Sequence, residues 1–125
     1  MGITYDAGAL IAAERDNRRM WALHRQALSA GHQPTVPAGA LAQAWRGGPQ
    51  PMLARLLSSC FVEPLDEAHS RSVGAACARA RSDDIVDASV VVGAATRGDV
   101  VVTSDVGDLQ RLADALTMRL QFRAI

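Results

Sequence analysis

The chain contains no lysine. All 13 of its basic side chains are arginine, and 13 acids balance them to a formal net charge of zero over 125 residues. A Walker-type phosphate loop needs its lysine, as do Schiff-base catalysis and phosphoryl-transfer sites that set an ammonium beside a reactive aspartate. All three chemistries are excluded. Aromatic residues make up only 4% of the chain against 49% hydrophobic residues overall, so the core has to be aliphatic, built from Ala, Leu and Val. Ample apolar content with balanced charge argues against disorder. Zero net charge argues against a protein that coats nucleic acid non-specifically, because that binding grows with the number of phosphates neutralised.

Thiols and long apolar runs are equally scarce. Cys60 and Cys77 are the only cysteines, too far apart for a CxxC pair. His24, His32 and His69 are scattered, so no Cys/His zinc pattern is spelled out. Both cysteines read as reduced. The most apolar stretch, residues 88–95, falls well short of the ~18 residues needed to cross a bilayer. Asp6 lies too early for a secretory signal, and the expectation is a soluble, cytoplasmic protein. At this length one domain is expected over residues 1–125, burying roughly two thirds of its unfolded surface.

What is present reads as short strands alternating with helices. Residues 2–5 are β-prone and are followed by helical spacing over 7–15 and 18–30, the second run stopped by Gly31. A small buried strand is expected at 34–37, helices at 38–46 and 53–59, and a strand or connector at Phe61-Val62. Two strongly helical runs follow, 66–81 and 84–97, the latter with Ile85, Ala88, Val92 and Ala95 facing inward. Val100-Val101-Val102-Thr103 is an apolar β-branched run of the kind found in central parallel strands. A helix over 107–116 and a strand over 118–122 close the chain. Alternation of this kind implies βαβ units, parallel pairing and a single α/β layered domain.

In open parallel sheets, sites form just beyond the carboxyl ends of the strands. Applied here, that rule selects acids. Asp6 lies one residue past the first strand, and Asp105 two residues past Thr103. Asp84 and Asp87 project from neighbouring points on one helical turn, and Asp105 and Asp108 repeat the spacing. Asp83, Asp84, Asp87, Asp99, Asp105 and Asp108 fall in one segment with a single arginine, Arg97. Asp6, Asp84 and Asp105 are each also placed to cap a helix. Asp87 is harder to assign to capping, because it interrupts an apolar helix where an unpaired carboxylate is costly to bury. A hard divalent cation, Mg²⁺ or Mn²⁺, is the usual remedy for clustered carboxylates and needs only two or three of them. Such a site suits phosphodiester hydrolysis. Thr103 and Ser104, beside Asp105, are candidates to hydrogen-bond the phosphate, with strand-end capping as the alternative.

Taken in order, four segments carry a resemblance: Tyr5-Asp6-Ala7; Val36-Pro37 with Leu41-Ala42-Gln43-Ala44-Trp45-Arg46-Gly47-Gly48; Ser82-Asp83-Asp84-Ile85-Val86-Asp87-Ala88; and Val101-Val102-Thr103-Ser104-Asp105 with Asp108-Leu109. Together they resemble PIN-domain proteins, specifically VapC-type toxin ribonucleases of type II toxin–antitoxin systems, over essentially the whole chain. The resemblance implies a PIN-like three-layer sandwich with a central parallel sheet flanked by helices. It also implies an Mg²⁺/Mn²⁺ site and endonucleolytic cleavage of RNA. Asp6, Asp87 and Asp105 would be the catalytic, metal-holding acids, with Asp84 an auxiliary ligand and Asp108 peripheral. One position departs. The family's glutamate after the second strand is Gln43 here, which still hydrogen-bonds but brings no charge and cannot act as a base. A catalytically weakened module that mainly binds antitoxin or RNA is therefore the alternative. Arg46 on the same helix is a substrate candidate, and Arg15, Arg18, Arg19 and Arg25 could form a basic rim or a solvated face. Of Trp21 and Trp45, at least one is expected in the core. The resemblance further implies a homodimer and a cognate antitoxin protein that covers the site.

Overall fold

Short strands and longer helices alternate along the whole chain in the structure, a computed structural model that describes residues 2–125. The order is β1 (Ile3–Tyr5), α1 (Ala7–Glu14), α2 (Arg18–Ser29), β2 (Thr35–Pro37), α3 (Ala38–Ala44), α4 (Pro51–Leu57), β3 (Phe61–Glu63), α5 (Glu67–Ala80), α6 (Ile85–Arg97), β4 (Val100–Thr103), α7 (Val106–Ala115) and β5 (Gln121–Ala124). The strands form one sheet in the order β3-β2-β1-β4-β5, and every pairing is parallel. This is the α/β sandwich expected from the alternation of elements.

The topology places the site. Strand order runs one way from β1 through β2 to β3 and the other way through β4 to β5, so the sheet reverses between β1 and β4. The crevice at such a reversal, outside the carboxyl ends of the strands, is where ligands bind in open α/β sheets. Tyr5 pairs with Val102 across that junction, which brings the ends of β1 and β4 together.

The core is aliphatic, as the composition requires, with Leu10, Leu53, Leu56, Val36, Val90, Val91, Val101 and Leu109 among its most buried side chains. Helix α6 packs against β1, β2 and β4 and against α3, α5 and α7. Its residues Ala88 to Ala94 are all buried, the pattern of a helix enclosed on every side. Its β-branched valines are held there by packing, which overrides their modest helix propensity. Gly98, at φ +72°, ends it in a left-handed cap that L side chains rarely adopt.

Three expectations need correction. The last strand is Gln121–Ala124, not 118–122. Thr117 and Met118 close α7 instead, Thr117 at φ +52° and the Met118 N–H donating to Ala113 O at 2.9 Å. Ile85 does not face inward; it is 54% exposed on the first turn of α6. Asp99 is not among the strand-end acids. It is buried where α6 hands over to β4, accepting from Thr4 Oγ1 at 2.7 Å and from Arg97 Nε at 2.9 Å. Arg97 also donates to Glu63 Oε2 at 2.5 Å, so that acid belongs to an internal ion network. Of the tryptophans, Trp21 is buried and Trp45 is exposed, and both cysteines are free.

Candidate active site

Asp6 follows β1 directly and caps α1, its Oδ1 accepting the Ala9 N–H at 2.9 Å. Its other oxygen, Oδ2, accepts from Thr103 Oγ1 at 2.5 Å. Thr103 is the last residue of β4 and is fully buried. Its oxygen also accepts the Asp105 N–H at 2.9 Å. One hydroxyl thus ties the two strand-end aspartates to each other. Asp105 in turn caps α7, accepting the Asp108 N–H at 3.3 Å, and Asp84 caps α6, accepting the Asp87 N–H at 3.0 Å. Capping and clustering, alternatives in the sequence, coexist here. Asp6 and Asp105 sit at strand ends because each begins the next helix, while Asp84 follows α5 and begins α6.

The electrostatics follow from that convergence. Asp6 is only 8% exposed, and burial raises its carboxyl above the ordinary range. Hydrogen bonds from Thr103 and from the Ala9 and Gly8 backbone oppose the rise, and the charge of Asp105 adds to it. Asp87, half-buried because its helix plunges straight into the core, is pushed up to about 6. Burial is the main cause, followed by the neighbouring charges of Asp84, Asp6 and Asp108. Acids from three helix N-termini therefore feel one another. The helix dipoles, each worth about half a positive charge at this end, offset part of the repulsion. Asp108 is relieved further by an ion pair with Arg111.

Among the described residues, no group of three or more His, Cys, Asp or Glu side chains is arranged to hold a metal ion. The donor chemistry of the junction is nonetheless all oxygen and all acidic. That is the ligand set of a hard divalent cation such as Mg²⁺ or Mn²⁺ rather than zinc.

The remaining candidates lie around this junction in different ways. Ser104 is exposed beside Asp105. Gly8 is the position sequence reasoning missed: a Cβ there would run into the Ser104 side chain and come within 3.2 Å of its backbone nitrogen. No local signal marks such a contact, because its partner lies almost a full chain length away. Gln43 is exposed near the end of α3 and lines a groove with Ile11, Glu14, Arg15 and Arg46. Arg46 is not on the helix expected over 38–46, because α3 stops at Ala44; it folds back on α3, donating from Nη1 to Trp45 O at 2.8 Å and Ala42 O at 3.3 Å. Glu14 lines that groove too, but its Oε2 is engaged, accepting the Leu53 N–H at 2.7 Å at the start of α4. The four clustered arginines separate. Arg18 and Arg25 line a groove with Trp21 and Arg55, and Arg19 borders another against Arg123. Only Arg15 reaches the cavity that contains Ser104.

No family model and no curated protein matches this sequence. Solved structures do. The chain is similar to VapBC2 from Rickettsia felis, solved bound to a DNA fragment from their promoter, with a TM-score of 0.75 at 12% identity over 100% of this chain and 99% of that one. It is also similar to PAE2754 from Pyrobaculum aerophilum, with a TM-score of 0.61 at 21% identity over 92% of this chain and 86% of the other. The fold is PIN-like. At these identities the likeness is one of fold, and it extends across the full length of the R. felis chain. The expected parallel α/β sandwich, with acids at its β1/β4 junction, is therefore a PIN-like sheet.

Proposed function

We propose that this PIN-like chain is an Mg²⁺- or Mn²⁺-dependent endoribonuclease that hydrolyses RNA phosphodiester bonds as the toxin of a toxin–antitoxin pair. One observation carries the reading: Asp6, Asp84, Asp87, Asp105 and Asp108 converge at the sheet's reversal, where burial, and after it the neighbouring carboxylates, pushes Asp87 up to about 6. Structural ion clusters also shift pKa values, but they do so by pairing, and among the described residues Asp6, Asp84, Asp87 and Asp105 have no cationic partner within 4.0 Å. Unpaired acids whose pKa values are raised by burial and by one another are candidates for a functional site. The full-length fold likeness to a chain of VapBC2 supports the toxin–antitoxin setting.

Asp6, Asp87 and Asp105, with Asp84 beside them, would hold the cation; they form no ready three-acid cage, and a cation that keeps several waters needs only one or two of them directly. Bound there, the ion supplies a Lewis acid for the phosphate and makes water a better nucleophile at neutral pH. The chain's own residues do the rest. Thr103 fixes the direction of Asp6 and is a positioning residue, since its hydroxyl is fully buried and engaged on both sides. Ser104 presents an exposed hydroxyl to the phosphate. Gln43 offers a neutral hydrogen bond where a charged base would otherwise stand. The same reading includes a homodimer and an antitoxin protein covering the pocket.

Gln43 also favours a second reading, a weakened PIN-like module that mainly binds antitoxin or RNA. The nuclease reading is tested with purified protein and structured RNA, with and without Mg²⁺ or Mn²⁺, beside Asp6→Asn. Cleavage that needs the ion and is abolished in the variant is expected. Metal-independent cleavage, or full activity of Asp6→Asn, contradicts it.

A further inference from the structure

Two cavities meet along one face of α1. The first, about 460 Å³, is lined by Gly8, Ile11, Ala12, Arg15, Asn17 and Ser104, with Ile125 at its rim. Gly8, Ile11, Ala12 and Arg15 recur at helical spacing, so a single face of α1 forms the wall. None of the junction acids lines this cavity, but two of its lining residues neighbour them in the chain: Ser104 stands between Thr103 and Asp105, and Gly8 lies in the turn that Asp6 caps. The second cavity, about 240 Å³, shares Ile11 and Arg15 with the first and is lined also by Gln43, Arg46 and Glu14, whose carboxylate is engaged by the Leu53 N–H. The two Arg46 hydrogen bonds described above hold that guanidinium against α3. Arg15 has no carboxylate within 4.0 Å among the described residues. A free guanidinium therefore stands on the saddle between the two cavities.

We propose that this continuous groove is a track for single-stranded RNA and that Arg15 is its phosphate-contacting residue, placing the nucleotide next to the scissile bond. The proposal rests on the nuclease reading and deepens it by naming how the substrate lies. A cavity of about 460 Å³ falls within the ~300–1,000 Å³ range of small-ligand sites, so it suits one splayed nucleotide rather than a duplex. The missing Cβ of Gly8 lets β4 and α1 approach and brings the Ser104 hydroxyl to the cavity wall. Ile11 and Ile125 offer apolar contact to a base, while Arg15 matches phosphate bidentately. An amphipathic helix would need a row of apolar anchors, and the ridge offers Ile11 alone.

The test measures binding of a short fluorescein-labelled oligouridylate by anisotropy across a salt series, with Asp6→Asn as the cleavage-deficient parent. Adding Arg15→Ala should weaken binding by about tenfold and reduce the salt slope by about 0.7, the loss of one phosphate contact on a single strand. Arg15→Lys should keep the slope and recover only part of the affinity, since an ammonium cannot bind bidentately. Arg71→Ala, an exposed residue paired with Glu67 on α5, should change nothing. In otherwise wild-type protein, Arg15→Ala should raise KM about tenfold with kcat within about twofold. If wild-type protein cleaves RNA and Arg15→Ala matches it in KM and salt slope, the track is wrong and the nuclease reading stands. If wild-type protein neither binds nor cleaves RNA, both fail. Displacement of the RNA by a polyglutamate peptide as readily as by unlabelled RNA would make the groove an acidic-peptide site and overturn the proposal.

Discussion

Thr103 Oγ1 donates to Asp6 Oδ2 at 2.5 Å while accepting the Asp105 N–H at 2.9 Å, so one buried hydroxyl holds together the ends of two adjacent strands. Thr103→Val keeps the shape and removes the hydroxyl. Asp6 then loses a donor that lowers its pKa, and the Asp105 N–H loses its acceptor. A hydrogen bond to a charged group is worth ~1.5–3 kcal/mol, so a loss of about 2 kcal/mol is expected in urea unfolding under alkaline conditions, where Asp6 is ionised. Thr103→Ser, which keeps the hydroxyl, should recover most of it. Equal stability of the Val variant and wild type would show that the contact does not hold the junction.

Asp87→Asn should stabilise the protein in the absence of divalent ions. The Asp87 carboxyl is raised from 3.8 to about 6, so the folded chain holds a proton that the unfolded chain has released between those values. Stability from this group is therefore present below 3.8 and lost as pH rises through about 6. Above that pH the ionised carboxylate is a net burden, which Asn removes. Discounted for its partial exposure, the gain is about 1 kcal/mol, or roughly 4 °C in Tm for a domain of this size. The gain should disappear near pH 4, and RNA cleavage should be lost at every pH. An unchanged Tm at pH 8 contradicts the repulsion.

His24 should give a pH dependence of the opposite sign. It is buried between Tyr5 OH, 2.9 Å from Nδ1, and Ser59 Oγ, 2.8 Å from Nε2. Ser59 donates onward to Leu56 O at 3.0 Å, so Nε2–H donates to Ser59 and Nδ1 accepts from Tyr5. That neutral tautomer uses both ring nitrogens, and burial lowers the His24 pKa below 6.5. The unfolded chain then binds the extra proton, and the stabilisation present above 6.5 is lost as pH falls below it. In an Asp6→Asn, Asp87→Asn background, which removes both carboxyls that burial raises, the urea midpoint should fall as the solution is acidified through 6.5. His24→Gln should flatten that slope, and an equally steep slope in its presence assigns the effect elsewhere.

Gln43→Glu separates the two functional readings. The exposed side chain shares a groove with Arg15 and Arg46, so a carboxylate there is accommodated without burial. Cleavage of RNA in Mn²⁺ should rise at least tenfold if an otherwise intact site lacks only this charge, by the usual worth of a general base. No gain favours the binding module.

Much of this was legible in the sequence because the signals are local. The β-branched run Val100–Thr103 marks the central strand, Asp6 and Asp105 each stand where a strand hands over to a helix, and Asp84 stands where α5 hands over to α6. The position of Asp87 in an apolar run anticipated its half-burial. What escaped depends on partners distant in sequence. Asp99 reads like another strand-end acid until Thr4 and Arg97 are seen to enclose it. Gly8 reads as an unremarkable helix glycine until Ser104 arrives from β4. Ile85 fits an inward helical stripe, but the first turn of α6 stands clear of its neighbours. The register of β5 is set by pairing with Val100–Thr103, and an edge strand with mostly exposed residues carries little alternation of its own. The four arginines near α1 look like one patch, yet the turn between α1 and α2 distributes them over different grooves.

Isothermal titration with Mn²⁺ at neutral pH, run on wild type, Asp6→Asn and Asp87→Asn, tests most directly whether the acids at the β1/β4 junction form a cation site. Saturable binding to wild type that is lost in both variants is the expected result. No binding to wild type, or equal binding to all three proteins, would contradict it.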